Sequence, residues 1–319
     1  MKSFNFPAVV LFSLIIAIST AALADDWFLQ ASHAGSEVAG PRFLVSADGL
    51  DWKTVNGDES MLKPTLPGVF RDASIARGKD GTYHMVWTIA WNTRDNKGIG
   101  YAHSKDLIHW SEQRIIPVME NEPKTEFVWA PEICWNDQEE KWLIHWASSV
   151  TGKFPETLSY FNGRANGRIY YIQTTDFKTF EPSKLLFNPN CLAIDSYLYK
   201  AGENDYRIFF KADRLEEPRR GILIARAEHP TGPYVTDPQM VNPPEDGWIE
   251  GPSAINVNGV HRLYYTMPQG CGLYETTDFK TWTNRNKDMK IVPGYRHGTI
   301  IRIPESDAKR LLEYKPESN

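Results

Sequence analysis

Short stretches in which apolar and polar residues alternate, or aromatics run together, recur along this chain. Residues 82–90 (TYHMVWTIA), 141–147 (KWLIHWA), 206–211 (YRIFFK) and 260–267 (VHRLYYTM) read as β-strands. Turn formers precede each of them: Lys79-Asp80-Gly81, Asn136-Asp137, residues 202–205 and residues 256–259. A further strand follows in three cases, at residues 98–104, 168–175 and 272–277. At its far end stands a returning phrase that sets a polar residue and an Asp ahead of an aromatic. The copies are residues 46–52 (SADGLDW), 104–110 (SKDLIHW), 175–180 (TDFKTF) and 277–282 (TDFKTW). The interval from Asp176 to Asp278 is markedly longer than the others and leaves room for a copy without the phrase. Residues 224–234 (IARAEHPTGPY) fit that copy, since a turn again follows a strand.

Repetition of one meander predicts a propeller: inner strand, hairpin, middle strand, hairpin, outer strand, built again around an axis. The expected fold is all-β, a five-bladed β-propeller with a central funnel. Helix signal is confined to residues 306–313, where Ser306 is the expected cap and Asp307 suits the first turn. Ring closure is expected to pair residues 298–303 (GTIIRI) with the strand around residues 27–30, because an open ring leaves unpaired edges.

The first 24 residues read as a secretory signal. Lys2 supplies positive charge, residues 8–18 an apolar core, and Ala22-Leu23-Ala24 a small-residue cleavage site. The other reading is a membrane anchor, against which the apolar run is shorter than the roughly 20 residues needed to span a bilayer. The mature chain, residues 25–319, is expected to be a single domain, monomeric, secreted or periplasmic, and free of the membrane once the signal is removed. It shows no linker, low-complexity stretch or charge block.

A net charge of -5 gives no basic face for nucleic acid. The chain is rich in aromatics, with Trp 11, Tyr 14 and Phe 15, which serve strand packing and also suit a sugar site. Cys134, Cys191 and Cys271 have no paired or metal-type spacing, so they are three buried small residues or at most one disulfide.

Four acidic residues stand in apolar or proline-bounded settings at the expected starts of innermost strands: Asp72 (VFRDASI), Glu132 (WAPEI), Asp195 (LAIDSYLY) and Glu250 (WIEGPS). Such carboxylates are costly to bury without a task or a partner. Two across a pocket are the minimum for glycoside hydrolysis, one protonating the leaving oxygen and the other activating water, and a third raises the pKa of the donor. The bland alternative is that these acids satisfy backbone N–H groups or pair with Arg71, Lys211 or Arg214.

At these residues the chain resembles glycoside hydrolase family 43. The likeness runs through Arg71-Asp72-Ala73-Ser74, Trp129-Ala130-Pro131-Glu132, Ile194-Asp195-Ser196, Glu250-Gly251-Pro252 and His297-Gly298, in that order over the whole mature chain. The resemblance implies a five-bladed propeller acting on arabinose- and xylose-containing glycans with inversion. It implies that Asp72 is the general base, Glu250 the general acid, and Asp195 the third acid that keeps the donor protonated. Ala73 and Ser196 depart from the family's proline after the acid, which touches backbone stiffness rather than any reacting group.

The resemblance also implies that His297 lines the axis and meets substrate, a bound water or a calcium-centred cluster. No cofactor is required, and a calcium is optional and structural, since no EF-hand-like ligand loop occurs. Trp91 and Trp129 offer stacking faces for a sugar or serve as core. Glu132 is expected to contact substrate or orient the site, and Arg296, Lys211 and Arg214 to bind hydroxyls, balance the acids or stay solvated. Residues 154–161 form an insert expected to cap the pocket. The expected function is an exported glycosidase, α-L-arabinofuranosidase or β-xylosidase-like, on plant-type polysaccharides. Alternatives are another propeller glycosidase, such as a galactofuranosidase, galactosidase or anhydro-galactosidase, or a carbohydrate-binding propeller without catalysis. A fructan-active enzyme is disfavoured because the Asn-Asp-Pro-Asn element is absent.

Overall fold

A computed structural model of the chain describes residues 26–33, 38–93, 97–157, 166–215, 217–243 and 246–315. The expected signal segment lies outside the described residues, as do residues 158–161 of the insert at 154–161. Among the described residues there are twenty strands and one α-helix.

The chain opens with β1 (Asp26–His33), β2 (Pro41–Ser46) and the short β3 (Lys53–Thr54). A first meander runs through β4 (Arg71–Arg77), β5 (Tyr83–Thr88), β6 (Gly98–Ser104) and β7 (Arg114–Pro117). The second is β8 (Trp129–Asn136), β9 (Lys141–Ser148), β10 (Arg168–Thr174) and β11 (Lys184–Phe187). The third is β12 (Leu192–Gly202), β13 (Asp205–Asp213), β14 (Arg220–Ala227) and β15 (Val235–Asp237). The fourth is β16 (Glu250–Val257), β17 (Val260–Met267), β18 (Gly270–Thr276) and β19 (Thr283–Asn284). β20 (Gly298–Pro304) then pairs antiparallel with β1 along its length, as the sequence led us to expect. The last three meanders are separate four-stranded sheets. The first joins β3-β2-β1-β20 in an eight-stranded sheet through a single parallel bridge between Gly298 and Ala73.

Each unit thus has four strands, one more than the three-strand meander read from the sequence. The extra strands are the short outer ones, too brief to show a period. The leading strands pack on one another in sequence, β4 on β8, β8 on β12, β12 on β16, β16 on β20 and β20 on β4.

Apolar clusters fill the spaces between neighbouring units, so the middle strands are buried on both faces. On β13, Phe209 packs toward Leu263 and Tyr265, while the next residue, Phe210, packs toward Ile169 and Phe187. On β5, Val86 faces Ile144 and Trp146, and its neighbours Met85 and Trp87 face Phe43 and Val45. Fully burying side chains of this size stabilises by roughly 1.5–3 kcal/mol each. It also explains why aromatic runs, rather than a clean alternation, mark these strands.

The returning phrase is a turn held by its own side chains. Ser104 Oγ accepts the N–H groups of Asp106 and Leu107 at 3.2 and 2.9 Å, and Asp106 Oδ1 accepts those of Ile108 and His109 at 2.9 and 2.8 Å. Ser46 with Asp48, Thr174 with Asp176 and Thr276 with Asp278 repeat the pattern. In the last two copies the hydroxyl belongs to Thr174 and Thr276, one residue earlier than the phrase read from the sequence. Between β14 and β15 the turn closes without an Asp, through Gly232 N–H to His229 O at 3.0 Å.

The helix α1 (Glu305–Glu313) starts one residue before the expected start, with Pro304 at its N-cap position. Ser306 therefore lies in the first turn and caps nothing. Asp307 is turned inward, accepting the Tyr83 hydroxyl at 2.6 Å, and Ala308 and Leu311 are buried against β1 and β20. The three cysteines are free thiols; Cys191 and Cys271 are buried and Cys134 is half-buried.

Candidate active site

At the start of β4, β8, β12 and β16 the same irregularity occurs: a four-residue stretch of the leading strand whose middle two residues face one on its neighbour. The slips fall between Arg71 and Ser74, Trp129 and Glu132, Ile194 and Tyr197, and Glu250 and Ser253. The second residue of each stretch is left-handed: Asp72 (φ 53), Ala130 (φ 47), Asp195 (φ 49) and Gly251 (φ 57). For a residue with a Cβ this conformation costs about 1–2 kcal/mol, and bulges of this kind re-aim a side chain.

The bulges show that the four acids are not equivalent, although each lies at the start of a leading strand. Asp72 and Asp195 occupy matching left-handed positions. Glu250 stands one place before that position, and Glu132 two places after it, one layer further into the fold.

Asp72 and Asp195 face the same imidazole. His297 Nδ1 lies 3.3 Å from Asp72 Oδ1 and 4.0 Å from Asp195 Oδ2, and its side chain is 6 % exposed. Burial opposes a charge there, but Asp195, Asp72 and then Glu132 outweigh it and push the imidazole up to about 10. His297 is therefore an imidazolium at neutral pH. Burial pushes Asp72 up too, yet the hydrogen bond and charge of His297, with His33 and Arg71, hold its carboxyl well below the usual carboxylate range. Thr88 donates to Asp72 Oδ2 at 3.0 Å and accepts Ala130 N–H at 2.8 Å, tying β5, the base of β4 and β8 together.

His33, at the end of β1, comes within 3.9 Å of Asp72 but does not pair with it as a cation. Burial pulls it down to about 4, with Arg71, His297 and Arg296 adding to the effect and Asp72 opposing it. Its neutral Nδ1 accepts the Asp72 N–H at 3.5 Å.

Glu250 is pushed above the usual carboxylate range by burial and by the charge of Asp195, against the opposing Lys211. Lys211 Nζ lies 2.5 Å from Glu250 Oε2 and 4.7 Å from the centre of the Trp248 ring. The glycine after Glu250 is required: a Cβ on Gly251 would sit 2.7 Å from His297 Cγ, besides its left-handed φ. Gly298 answers to a similar demand, since a Cβ there would meet Ala31 O at 1.8 Å where β20 and β1 pair.

Glu132 is 4 % exposed and accepts hydrogen bonds from Ser74 at 2.6 Å and Thr299 at 2.9 Å. Burial drives it up to about 7, only partly offset by Ser74, His297 and Thr299. Trp91 is 44 % exposed and meets half-buried Trp129 edge-on at 6.1 Å. Trp129 stacks on Phe127 at 3.9 Å, and the Arg71 guanidinium lies 4.6 Å over Trp91. Arg296 is exposed, and its backbone is clasped by Ser32 Oγ, which accepts the Arg296 N–H at 3.0 Å. Arg214 is committed to the carbonyls of Pro218 and Pro238. Among the described residues no group of three or more His, Cys, Asp or Glu is arranged to hold a metal ion.

Residues 27–309 match the model of a family related to glycoside hydrolase family 43, described as "Probable glycosyl hydrolase domain". The chain belongs to this family. It is 22% identical over 353 aligned residues to an α-L-arabinofuranosidase of Bifidobacterium longum, covering 88% of this chain and 33% of that protein. The chain thus spans about a third of the length of that relative. In fold, this glycosyl hydrolase domain is similar to an α-L-arabinofuranosidase from Lactobacillus brevis (TM-score 0.54, 20% identity, 70% of this chain and 73% of the other). It is also similar to a Cellvibrio cellulosa α-L-arabinanase complexed with arabinohexaose (TM-score 0.56, 14% identity, 86% and 95%).

Of the residues singled out in the sequence of this family 43-related domain, Asp72, Asp195 and His297 meet directly, and Glu250 joins them through the charges of Asp195 and His297. Glu132 stands beneath them. His33 and Thr88 were missed: each is a polar residue at the end of a strand, without a local motif. Only pairing between strands distant in sequence brings them to Asp72.

Proposed function

We propose that the protein is an exported, inverting glycoside hydrolase that removes terminal sugars from plant-type polysaccharides, with α-L-arabinofuranosidase or β-xylosidase-like specificity. In this reading residues 25–319 form one five-bladed propeller. Four meanders of four strands, the β3-β2-β1-β20 group and the cyclic packing of leading strands support it.

The observation that carries the reading is the meeting of Asp72 and Asp195, from different sheets and matching bulge positions, on one imidazolium, with Glu250 from a third sheet raised by burial and by Asp195. The roles follow from the charge states. Asp72, held ionised, takes a proton from water as the water attacks the anomeric carbon. Glu250, whose proton is retained to higher pH, delivers it to the departing oxygen. Asp195 disfavours the ionised form of Glu250 and helps hold His297. His297, fixed by both aspartates, keeps Asp72 in place. Direct attack by water needs base and acid carboxyls roughly 6.5–9.5 Å apart. Trp91 and Trp129 are the stacking faces and Arg296 a contact for sugar hydroxyls. Glu132 supports His297 from below and is too enclosed by Ser74 and Thr299 to touch the sugar. No step passes through a metal; a calcium on the axis would serve structure alone.

The test is a panel of 4-nitrophenyl α-L-arabinofuranoside, β-D-xyloside, β-D-galactofuranoside and β-D-galactoside. Release of 4-nitrophenol from one of the first two is expected, and its loss in Asp72→Asn. Binding without turnover across the panel and on oligosaccharides would instead favour a carbohydrate-binding protein.

A further inference from the structure

The acid assigned above rests against a cation that its role does not require. Lys211 stands on β13 opposite Ile194, one residue from Asp195, and its side chain is 9 % exposed. Its Nζ lies 2.5 Å from Glu250 Oε2, beneath the Trp248 ring. Two opposite charges therefore bear on one carboxyl: Asp195 disfavours its ionised form and Lys211 favours it. A buried lysine kept in this geometry has a short, charge-assisted bond that fixes the carboxyl's rotation as well as its charge.

Among the other charged groups packed near β16, His297 also favours the ionised form of Glu250, by less than Lys211 does. His297, ahead of β20, is bound up with Asp72 and Asp195. Arg220 on β14 is turned to Asp213 at 3.0 Å. On β17, Arg262 pairs with Glu275 at 2.8 Å and His261 with the Tyr199 hydroxyl at 2.7 Å.

We propose that Lys211 is a positioning residue for proton transfer, orienting the Glu250 carboxyl and, in opposition to Asp195, setting the pH above which Glu250 no longer holds the proton for the leaving group. This rests on the reading of Glu250 as the acid. The proton that Glu250 gives to the departing oxygen is regained from solvent.

The experiment uses the full mature protein labelled with 13C-carboxyl glutamate, the Glu250 resonance being assigned by its loss in Glu250→Gln. In Lys211→Met the titration midpoint of Glu250 is expected about one pH unit or more above wild type, and in Lys211→Arg close to wild type. Lys211→Gln, polar but uncharged beneath Trp248, is a second neutral variant with the same expected shift. In parallel, the alkaline limb of kcat/KM on a glycoside with a poor leaving group moves up by the same interval in both neutral variants. With a 2,4-dinitrophenyl leaving group, which departs without a proton, the limb is lost. Equal Glu250 midpoints in wild type and the neutral variants overturn the proposal. A shifted midpoint combined with full activity of Glu250→Gln on the poor leaving group overturns the acid assignment, and the lysine's part in proton transfer with it.

Discussion

Replacing Asp72 by Asn removes a negative charge from His297 without removing volume, and the effect on that imidazole is calculable. At 3.3 Å the attraction between the two charges is about 5 kcal/mol for an effective dielectric constant of about 20, equivalent to between three and four pKa units before the penalty of burial. The whole rise of His297, from 6.5 to about 10, is the sum of Asp195, Asp72 and Glu132 against that penalty. Losing Asp72 should therefore lower the His297 midpoint by about two units or more, to near neutrality. Because the folded value in the wild type lies above the unfolded one, the stability it contributes is complete below pH 6.5 and lost as pH rises through 10. In Asp72→Asn the loss moves down to the neutral range. Side-chain 15N NMR of the histidines, followed from pH 5 to 10, reads this directly. Turnover should fall by about a hundredfold to ten-thousandfold with the fold retained. A His297 resonance that titrates near 6.5 in the wild type, or at the same pH in both proteins, rules out this coupling between Asp72 and the imidazole.

Three other outcomes are expected. In Gly251→Ala the left-handed φ and the approach to His297 lower stability by about 2–3 kcal/mol and displace the imidazole, which urea unfolding and kcat together measure; an unchanged midpoint contradicts it. The folded Glu132 carboxyl is raised from 4.5 to about 7, so its contribution is present below pH 4.5 and lost as pH rises through 7. Glu132→Gln lacks that slope and should gain about 3 kcal/mol relative to wild type between pH 5 and 8 in denaturant titrations, whereas parallel pH profiles would count against the buried carboxyl. Asp106→Ala, which frees the N–H groups of Ile108 and His109, should lower stability by about 1 kcal/mol with activity unaltered, read as a shift in melting temperature.

The sequence announced the long inner and middle strands through their turns, because Ser104, Asp106 and their counterparts solve a local problem with local residues. It was silent on β3, β7, β11, β15 and β19, which are short edge strands with little burial to leave a pattern. Phe209 and Phe210, buried on opposite faces of β13, erase the alternation that would have set that strand's register. The acids were legible as types in apolar settings, but their bulges were not. The slip of one residue at Arg71–Ser74 and at Trp129–Glu132 separates Asp72 from Glu132 by a layer, and that slip exists only in pairing with β5 and β9. The same holds for His33, which becomes a neighbour of Asp72 only when β20 draws β1 beside β4.

In the proposed mechanism Asp72 drives water onto the face of the sugar opposite Glu250. Proton NMR during the first minutes of hydrolysis, on whichever aryl glycoside of the panel is cleaved, reads the configuration of the sugar before it mutarotates. Direct attack by water gives a first-formed anomer inverted relative to the substrate; a first-formed anomer with configuration retained would rule out Asp72 as the base of such an attack.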